Sequence, residues 1–338
     1  MTQILLLIIL LLGAFFTTQM ICFLARKKSW YDIPNSRSSH SIPTPKGGGV
    51  AFVLMFFCAV VYVFAQGLLL VNELLAFVVC LLIAVLGFMD DLWELSAKVR
   101  VVIHLAAVLL VLLLLGGQPE ISVFSVSLNF GVISYCCVVV AFIWLINLYN
   151  FMDGIDGLAA LEAVFVSLAA SCLVWQQDAY TEMFLLQSLA VSVLGFSFFN
   201  LPPAKIFMGD VGSKFLGFVF GVFGLITIDH GLMSVWTWSV LLGIFVVDAT
   251  TTLVRRFFSN EVWYQAHRSH AYQQAATLYG GHAKVDWFVC LLNCFWLFPI
   301  AWATVIFEDW GVVLVLLAYV PLVFLGEYVK SRNKLEVS

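Results

Sequence analysis

Eleven apolar runs of about 20 residues divide the sequence, and a helix of that length crosses a hydrocarbon core of roughly 30 Å. The runs are continuously apolar rather than alternating, which predicts helices and not a β-barrel. With 63% hydrophobic and 11% charged residues, the composition excludes a soluble domain. The sequence predicts one all-α polytopic membrane domain over residues 1–338 with 10–11 transmembrane helices. The eleven runs cover 2–25, 48–66, 71–89, 101–116, 132–149, 158–175, 182–199, 213–228, 232–250, 286–305 and 311–329.

The basic residues predict the orientation, because short loops rich in Lys and Arg stay cytoplasmic. Fifteen of the sixteen Lys and Arg lie in alternate connecting segments, and Lys214 lies just inside a helix end beside them. The opposite segments carry only acidic charge. We therefore expect an external N-terminus, a cytoplasmic C-terminus and a cytoplasmic active site. The basic segments are 26–47, 90–100, 150–157, 200–212, 251–285 and 330–338.

Two adjacent acids, Asp90 and Asp91, close the third run. At a membrane boundary they repel each other unless a cation or a substrate proton compensates. The motif therefore indicates a catalytic or metal-binding pair, the alternative being a solvated helix end.

The fifth run ends in NLYNFMDGIDG, where polar side chains recur every three residues along one helical stripe. Amides and carboxylates at this spacing can converge on one ligand, and the glycines allow the backbone to approach it. The alternative is helix-end capping. The stripe consists of Asn147, Asn150, Asp153 and Asp156.

The connection NLPPAKIFMGDVGSK contains Asn200, Phe207 and Asp210 and leads into the next helix. A helix N-terminus attracts phosphate through its unpaired N–H groups. Asp210 alone is also compatible with an ordinary N-cap. Beside the other acids it indicates a cation ligand.

Two longer loops on the basic side, 26–47 and 251–285, supply positive charge. Lys46 precedes three glycines, a setting suited to anion contact, although its spacing is not that of a nucleotide-binding P-loop. His267, Arg268 and His270 form a compact donor cluster that can bind phosphate oxygens. The alternatives are a Pro/Gly-rich connector for the first loop and a solvated basic loop for the second.

These motifs together, PTPKGGG, the DD pair, NLYNFMDGIDG and NLPPAKIFMGDVGS, resemble those of the polyprenyl-phosphate N-acetylhexosamine-1-phosphate transferases. They follow the family's order over residues 32–270. The HRSH form at 267–270 is similar to the O-antigen-initiating branch, whereas the phospho-MurNAc-pentapeptide translocase branch has three consecutive histidines.

The resemblance implies roles for individual residues. Asp90 and Asp91 match the family's paired acids, and Asp210 matches its principal Mg²⁺ ligand, with Asp91 expected to share the ion. Lys46 and Lys98 match basic positions near the phosphates. The residues that match the nucleotide pocket are Asn147, Asn150, Asp153, Asp156, Asn200 and Phe207.

The resemblance also implies the reaction. A UDP-N-acetylaminosugar would donate its sugar phosphate to undecaprenyl phosphate with release of UMP, at the bacterial inner membrane and with Mg²⁺, or Mn²⁺ in its place. One acid of the pair would position the lipid phosphate, and His267, Arg268 and His270 would bind the diphosphate. Direct transfer and a covalent aspartyl-phosphate route both stay open. The resemblance suggests a homodimer and no nucleic-acid partner.

Two other classes compete with this interpretation. An ion-coupled transporter is favoured by acids within apolar runs, such as Glu162 and Asp248, but most motif acids lie at one boundary. A CDP-alcohol phosphotransferase is suggested by the start of its aspartate signature at Asp156, but Leu161 stands where that signature has Arg. The sequence does not identify the aminosugar or the polymer.

Overall fold

The structure, a computed structural model, describes residues 2–34, 39–40, 42–93, 95–116, 121–123, 126–128, 131–259 and 268–337. His267 lies outside these residues, as do parts of the 26–47 and 251–285 loops. Helices account for most of the described chain. The two pairs of short strands are both antiparallel, with β1 (Tyr31–Asp32) against β2 (Thr44–Pro45) and β3 (Ile121–Val123) against β4 (Val126–Leu128).

Fourteen α-helices occur in the described residues. They are α1 (Thr2–Lys28), α2 (Gly49–Ala65), α3 (Val71–Trp93), α4 (Ala97–Leu115), α5 (Val132–Met152), α6 (Leu158–Trp175), α7 (Tyr180–Asn200), α8 (Asp210–Asp229), α9 (Val235–Leu241), α10 (Gly243–Phe258), α11 (Ala271–Leu278), α12 (His282–Leu292), α13 (Phe298–Ile306) and α14 (Gly311–Val337).

The prediction of an all-α polytopic membrane protein is confirmed. Nine helical stretches among the described residues are long and apolar enough to cross a membrane, and the bent pair α9–α10 makes a tenth. Each of the eleven predicted runs contains a helix, but α2 has only 17 residues and is about 25 Å long. The predicted run 286–305 lies in a longer stretch, His282–Ile306, in which a π-helical segment, Asn293–Leu297, joins α12 to α13.

Helix α8 is the centre of the bundle, with every residue from Val211 to Thr227 buried. Its glycines allow close packing: a Cβ on Gly212 would strike Met208 and Phe52, and one on Gly217 would strike the backbone of Leu145 in α5. On the facing helix α3, a Cβ on Gly87 would strike the backbone of Asp210. The start of α8 is therefore fixed against α3 and α5 at backbone distance.

The bundle has two polar ends, which its long helices connect. At one end, His230 after α8 lies 3.2 Å from Glu73 of α3 and 2.7 Å from Glu182 of α7. At the other end, the same three helices carry Asp210, Asp91 and Asn200. Asp91, Asn200 and Asp210 therefore share one end of the bundle, and the acids Glu73 and Glu182 share the other.

Candidate active site

A polar cavity of about 340 Å³ opens where α3, α5 and α7 end and α8 begins. The segment around β2 and the start of α12 close its sides. Carboxylates dominate the lining, which gives the cavity a negative character. It is lined by Asp32, Ser39, His40, Lys46, Asp91, Asn150, Asp153, Gly154, Ile155, Asp156, Asn200, Phe207, Gly209, Asp210, Gln273 and His282.

Asp91 and Asp210 face each other across the end of the cavity. Asp91 Oδ2 accepts a hydrogen bond from the Val211 amide at 3.2 Å, and its Oδ1 lies 3.9 Å from Lys46 Nζ. Asp210 is the first residue of α8, and Gly209 rather than Asp210 holds the N-cap position. A Cβ on Gly209, whose φ is +75°, would strike Asp91 Oδ2. Glycine at this position therefore leaves room for the Asp91 carboxylate.

Asn150 orients Asp210. Its side-chain amide donates to Asp210 Oδ1 at 2.8 Å and lies 3.2 Å from Ser213 Oγ. The predicted stripe on α5 thus meets the predicted acid on α8.

Asp153 and Asp156 form the second carboxylate pair, in the turn after α5. Burial raises the pKa of Asp153 well above its ordinary value, and the negative charges of Asp210, Asp91 and Asp156 raise it further. Burial also raises the pKa of Asp156, but hydrogen bonds from His282 and from the Ala204 amide, at 3.0 Å, outweigh that effect and lower it overall. The cavity lining thus contains five aspartates, Asp32, Asp91, Asp153, Asp156 and Asp210, and one lysine, Lys46.

Asn200 and Phe207 build the wall of the cavity. Asn200 accepts a hydrogen bond from the Gly157 amide at 3.2 Å and donates to the Ile206 carbonyl at 3.1 Å, which ties the turn after α5 to the connection before α8. The Phe207 ring meets His40 edge to face, with centroids 4.9 Å apart. Phe207 is half-buried, and an aromatic ring in the lining of a polar cavity offers a face on which a planar base can stack.

Asp90 points away from the cavity lining, into a buried charge network. Its Oδ1 accepts from the Leu95 amide at 2.8 Å, and its Oδ2 contacts Lys214 and, at 3.2 Å, Arg100 Nη1. The two adjacent acids thus have different surroundings: Asp91 opens onto the cavity and Asp90 is enclosed by cations.

Most of the predicted site residues converge on this cavity. Those that line it are Lys46, Asp91, Asn150, Asp153, Asp156, Asn200, Phe207 and Asp210.

Four other predicted residues lie elsewhere. Lys98 is exposed on the first turn of α4, and Asn147 donates to the Ile143 carbonyl of its own helix at 2.7 Å. His270 is buried, with Nδ1 3.6 Å from Asp248 Oδ1. Arg268 lines a second polar cavity of about 410 Å³, which shares Ser39, Gln273 and His282 with the first. A phosphate contact by Arg268 or His270, like one by His267, stays a prediction.

A divalent cation fits the chemistry of the donor set. Mg²⁺ prefers a few carboxylate oxygens and completes its shell with water and phosphate oxygens. Asp91 and Asp210 offer such oxygens in the cavity lining, and their negative charges add to the effect of burial in raising the pKa of Asp153 beside them. Among the residues that the structure describes, no three acidic, His or Cys side chains already form a ligand cage. Two carboxylates of the protein would therefore supply part of a Mg²⁺ shell.

Several lining residues were not identified from the sequence, notably His40, His282 and Gln273. His282 lies 126 residues after Asp156 in the sequence, and its Nδ1 is 3.5 Å from Asp156 Oδ2. A histidine in a Gly-Gly-His sequence at the start of a helix carries no signal of this contact. Only the fold brings it to the cavity.

Comparison with known proteins agrees with this geometry. Residues 73–228 match the family described as "Glycosyl transferase family 4". Over 278 residues, the chain is 31% identical to a Bacillus subtilis (strain 168) protein named "Probable undecaprenyl-phosphate N-acetylglucosaminyl 1-phosphate transferase", covering 79% of this chain and 75% of that protein. The chain belongs to glycosyl transferase family 4.

A second relative of this glycosyl transferase family 4 member comes from Streptococcus pyogenes serotype M18 (strain MGAS8232). It is named "Phospho-N-acetylmuramoyl-pentapeptide-transferase" and is 29% identical over 232 residues, covering 64% of this chain and 67% of that protein. The family match contains Asp91, Asn150, Asp153, Asp156 and Asp210. As a member of this family the chain is an enzyme, a sugar-1-phosphate transferase, which excludes the transporter alternative.

Proposed function

We propose that this glycosyl transferase family 4 enzyme transfers an N-acetylaminosugar 1-phosphate from a UDP-sugar to undecaprenyl phosphate, releasing UMP, with Mg²⁺ as the cofactor and Mn²⁺ as a substitute. The observation that carries the proposal is the convergence of Asp91, Asn150, Asp153, Asp156 and Asp210 in one polar cavity at a helix-bundle end. The names of the relatives support the acceptor and the class of donor.

The reaction joins two anions, so charge compensation and alignment are its main demands. An oxygen of the lipid phosphate attacks the phosphorus that bears the sugar, and the bond from that phosphorus to the bridging oxygen breaks. UMP leaves with the bridging oxygen and its electron pair. The lipid phosphate has a second pKa of about 6, so at pH 7 it is already mostly dianionic and needs no strong base.

Each cavity residue has a proposed role that follows from its position. Asp91 and Asp210 would hold the Mg²⁺, which compensates the phosphate charge when bound. Asn150 keeps the Asp210 carboxylate aimed at the cavity. Lys46, on the opposite side of Asp91, would contact a phosphate oxygen. The Phe207 ring and Asp156 would contact the uridine, and the cavity around Arg268 would continue the donor site.

The position of the cavity at one bundle end suits the two substrates. A lipid acceptor stays in the bilayer, whereas a nucleotide sugar is soluble, so the reacting groups can meet only at the boundary. The distribution of Lys and Arg supports the cytoplasmic face of the bacterial inner membrane, with the N-terminus external and the C-terminus cytoplasmic. We further propose a homodimer, on the family resemblance.

The proposed pathway is initiation of O-antigen or a related surface polysaccharide, supported by the HRSH sequence at 267–270. The name of the Bacillus subtilis relative favours a second candidate, a UDP-GlcNAc-dependent transferase for another envelope polymer. Both candidates share the acceptor and the chemistry and differ in the sugar or the polymer.

The test is UMP release by the purified full-length enzyme in detergent or proteoliposomes. Undecaprenyl phosphate and Mg²⁺ are supplied with UDP-GlcNAc, UDP-GalNAc or 6-deoxy-aminosugar nucleotides, one at a time. We expect release that depends on lipid, nucleotide and metal, with one preferred sugar. A single-turnover reaction with donor labelled in the transferred phosphate separates the two routes, because labelled protein appears only in the covalent one. The Asp91→Asn variant is the matched negative control.

A further inference from the structure

A buried lysine, Lys214, lies between two of the acids discussed above. It stands one turn into α8 and is 3% exposed. Its ammonium contacts Asp90 Oδ2 and lies 2.5 Å from Asp210 Oδ2. The lysine thus joins an acid outside the cavity lining to an acid within it.

The negative charge of Asp90 does not require Lys214 for its compensation, because Asp90 has other partners. The same Asp90 Oδ2 is 3.2 Å from Arg100 Nη1, and Oδ1 accepts the Leu95 amide at 2.8 Å. A buried lysine carries a large desolvation cost, and an apolar residue at this point of a central helix would avoid that cost. The contact that Lys214 adds is the one with Asp210.

With this contact, each of the two carboxylate oxygens of Asp210 has its own partner. Oδ2 is held by the Lys214 ammonium, and Oδ1 is held by the Asn150 amide at 2.8 Å. Both carboxylate oxygens are thus fixed before any ligand binds. The ammonium also places a positive charge next to the carboxylate to which the proposed divalent ion would bind.

We propose that Lys214 is a positioning residue that orients Asp210 and weakens cation binding there, so that the ion binds firmly only together with the diphosphate substrate. This inference rests on the proposed function. Because like charges repel at close range, removal of the ammonium strengthens binding of the ion to the substrate-free enzyme. Removal also releases Asp210 from its fixed orientation, which lowers kcat.

The experiment compares Lys214→Met with wild type in the full-length protein in detergent. Mn²⁺ or Mg²⁺ is titrated without substrate, and the rise in melting temperature reports binding. Turnover is measured separately with saturating substrates and metal. We expect ion binding about tenfold tighter in Lys214→Met and a kcat at least about tenfold lower. Lys205→Met is the control, because it removes an exposed cation from the preceding connection, and we expect both quantities to stay within about twofold of wild type.

The double variant Lys214→Met/Asp90→Asn keeps the net charge of the site and replaces a buried ion pair by neutral groups, a change that proteins often tolerate. We expect its ion affinity to return to within about threefold of wild type, with kcat still low. If the single variant does not fold, the double variant replaces it in the experiment. A wild-type kcat in the double variant overturns the positioning role of Lys214.

The remaining outcomes separate the inference from the function on which it rests. A folded Lys214→Met with wild-type or weaker ion affinity overturns the inference alone, provided that wild-type turnover requires the metal. Wild-type enzyme with no metal-dependent turnover overturns the proposed function.

Discussion

Asn150, at the end of α5, donates a hydrogen bond from its side-chain amide to Oδ1 of Asp210, the first residue of α8, at 2.8 Å. Sixty residues separate the two, and Asn150 lies in the last turn of one helix of membrane-spanning length whereas Asp210 begins another. The contact joins the amide-and-acid stripe to the principal predicted metal ligand. It makes the orientation of that ligand dependent on the packing of two helices.

Removal of this contact is expected to lower turnover more than stability. Asn150→Ala leaves the Asp210 carboxylate free to rotate, and loss of a residue that orients a metal ligand commonly costs 10- to 100-fold in metal affinity or activity. We expect a loss of about that size in kcat/KM, measured by UMP release. Asn147→Ala is the matched control, since this amide bonds to its own helix at Ile143. Equal losses in the two variants would contradict the assignment.

The adjacent acids Asp90 and Asp91 are expected to differ when each is replaced. Asp90→Ala removes the carboxylate that Lys214 and Arg100 both contact, so the buried positive charge loses a partner. The expected destabilisation is about 3–5 kcal/mol. Asp91→Asn relieves repulsion in the cavity, so metal-free stability should be unchanged or higher while activity falls at least about 100-fold. Thermal unfolding and UMP release, measured on the same preparations, check both. A stable Asp90→Ala protein would contradict the structural role of Asp90.

Gly87 is expected to tolerate no side chain. A methyl group there meets the backbone of Asp210, so Gly87→Ala must displace the start of α8 or of α3. We expect a destabilisation of about 1–3 kcal/mol, typical of overpacking, and a large loss of activity. Gly224 lies on the central helix α8, and a Cβ there meets only Trp238, at 3.9 Å, so Gly224→Ala serves as the control. Similar melting temperatures for both variants would be inconsistent with backbone contact at Gly87.

Asp153 is expected to make metal-free stability fall with rising pH. Burial, and then the charges of Asp210, Asp91 and Asp156, raise its folded-state pKa well above its ordinary value, whereas an unfolded Asp has a pKa of about 3.9. The folded protein therefore holds the proton more tightly than the unfolded chain. The resulting stability is complete below about pH 4 and is lost as pH rises towards the folded-state pKa.

The measurement compares wild type with Asp153→Asn in a chelator at pH 5 and pH 8. The variant has no proton to lose, so its melting temperature should fall less than that of wild type over this range. Added Mg²⁺ should reduce the difference, because a cation offsets the charge of the ionised Asp153. Identical pH dependence in both proteins would show that Asp153 keeps an ordinary pKa.

The helices were predictable from the sequence because a membrane imposes one length and one polarity on each span. The bend of 80° between α9 and α10 was not, since the predicted run 232–250 is continuously apolar through Leu242 and Gly243. The short length of α2 was equally hidden, because the run 48–66 is apolar throughout. Hydropathy reports burial in lipid and does not report helix direction.

The candidate site was predictable where chemistry is concentrated in short motifs, as for Asn150, Asp153 and Asp156. It was not predictable where a single residue reaches the site through the fold. His282 contacts Asp156, and Lys214 contacts Asp90, only because distant parts of the chain converge. The separate roles of Asp90 and Asp91 were hidden for the same reason, since adjacent residues on a helix point about 100° apart and their surroundings come from other helices.

In the proposed function, the carboxylate cavity is the site at which a sugar phosphate passes from a UDP-sugar to a lipid phosphate. The most direct measurement is UMP release by the purified enzyme with undecaprenyl phosphate, Mg²⁺ and each of the UDP-aminosugars, with Asp210→Asn alongside. We expect metal- and lipid-dependent release with one preferred sugar, and at least about a 100-fold loss in the variant. Metal-independent release, undiminished activity of Asp210→Asn, or no release with any of these nucleotide sugars would contradict the proposed function.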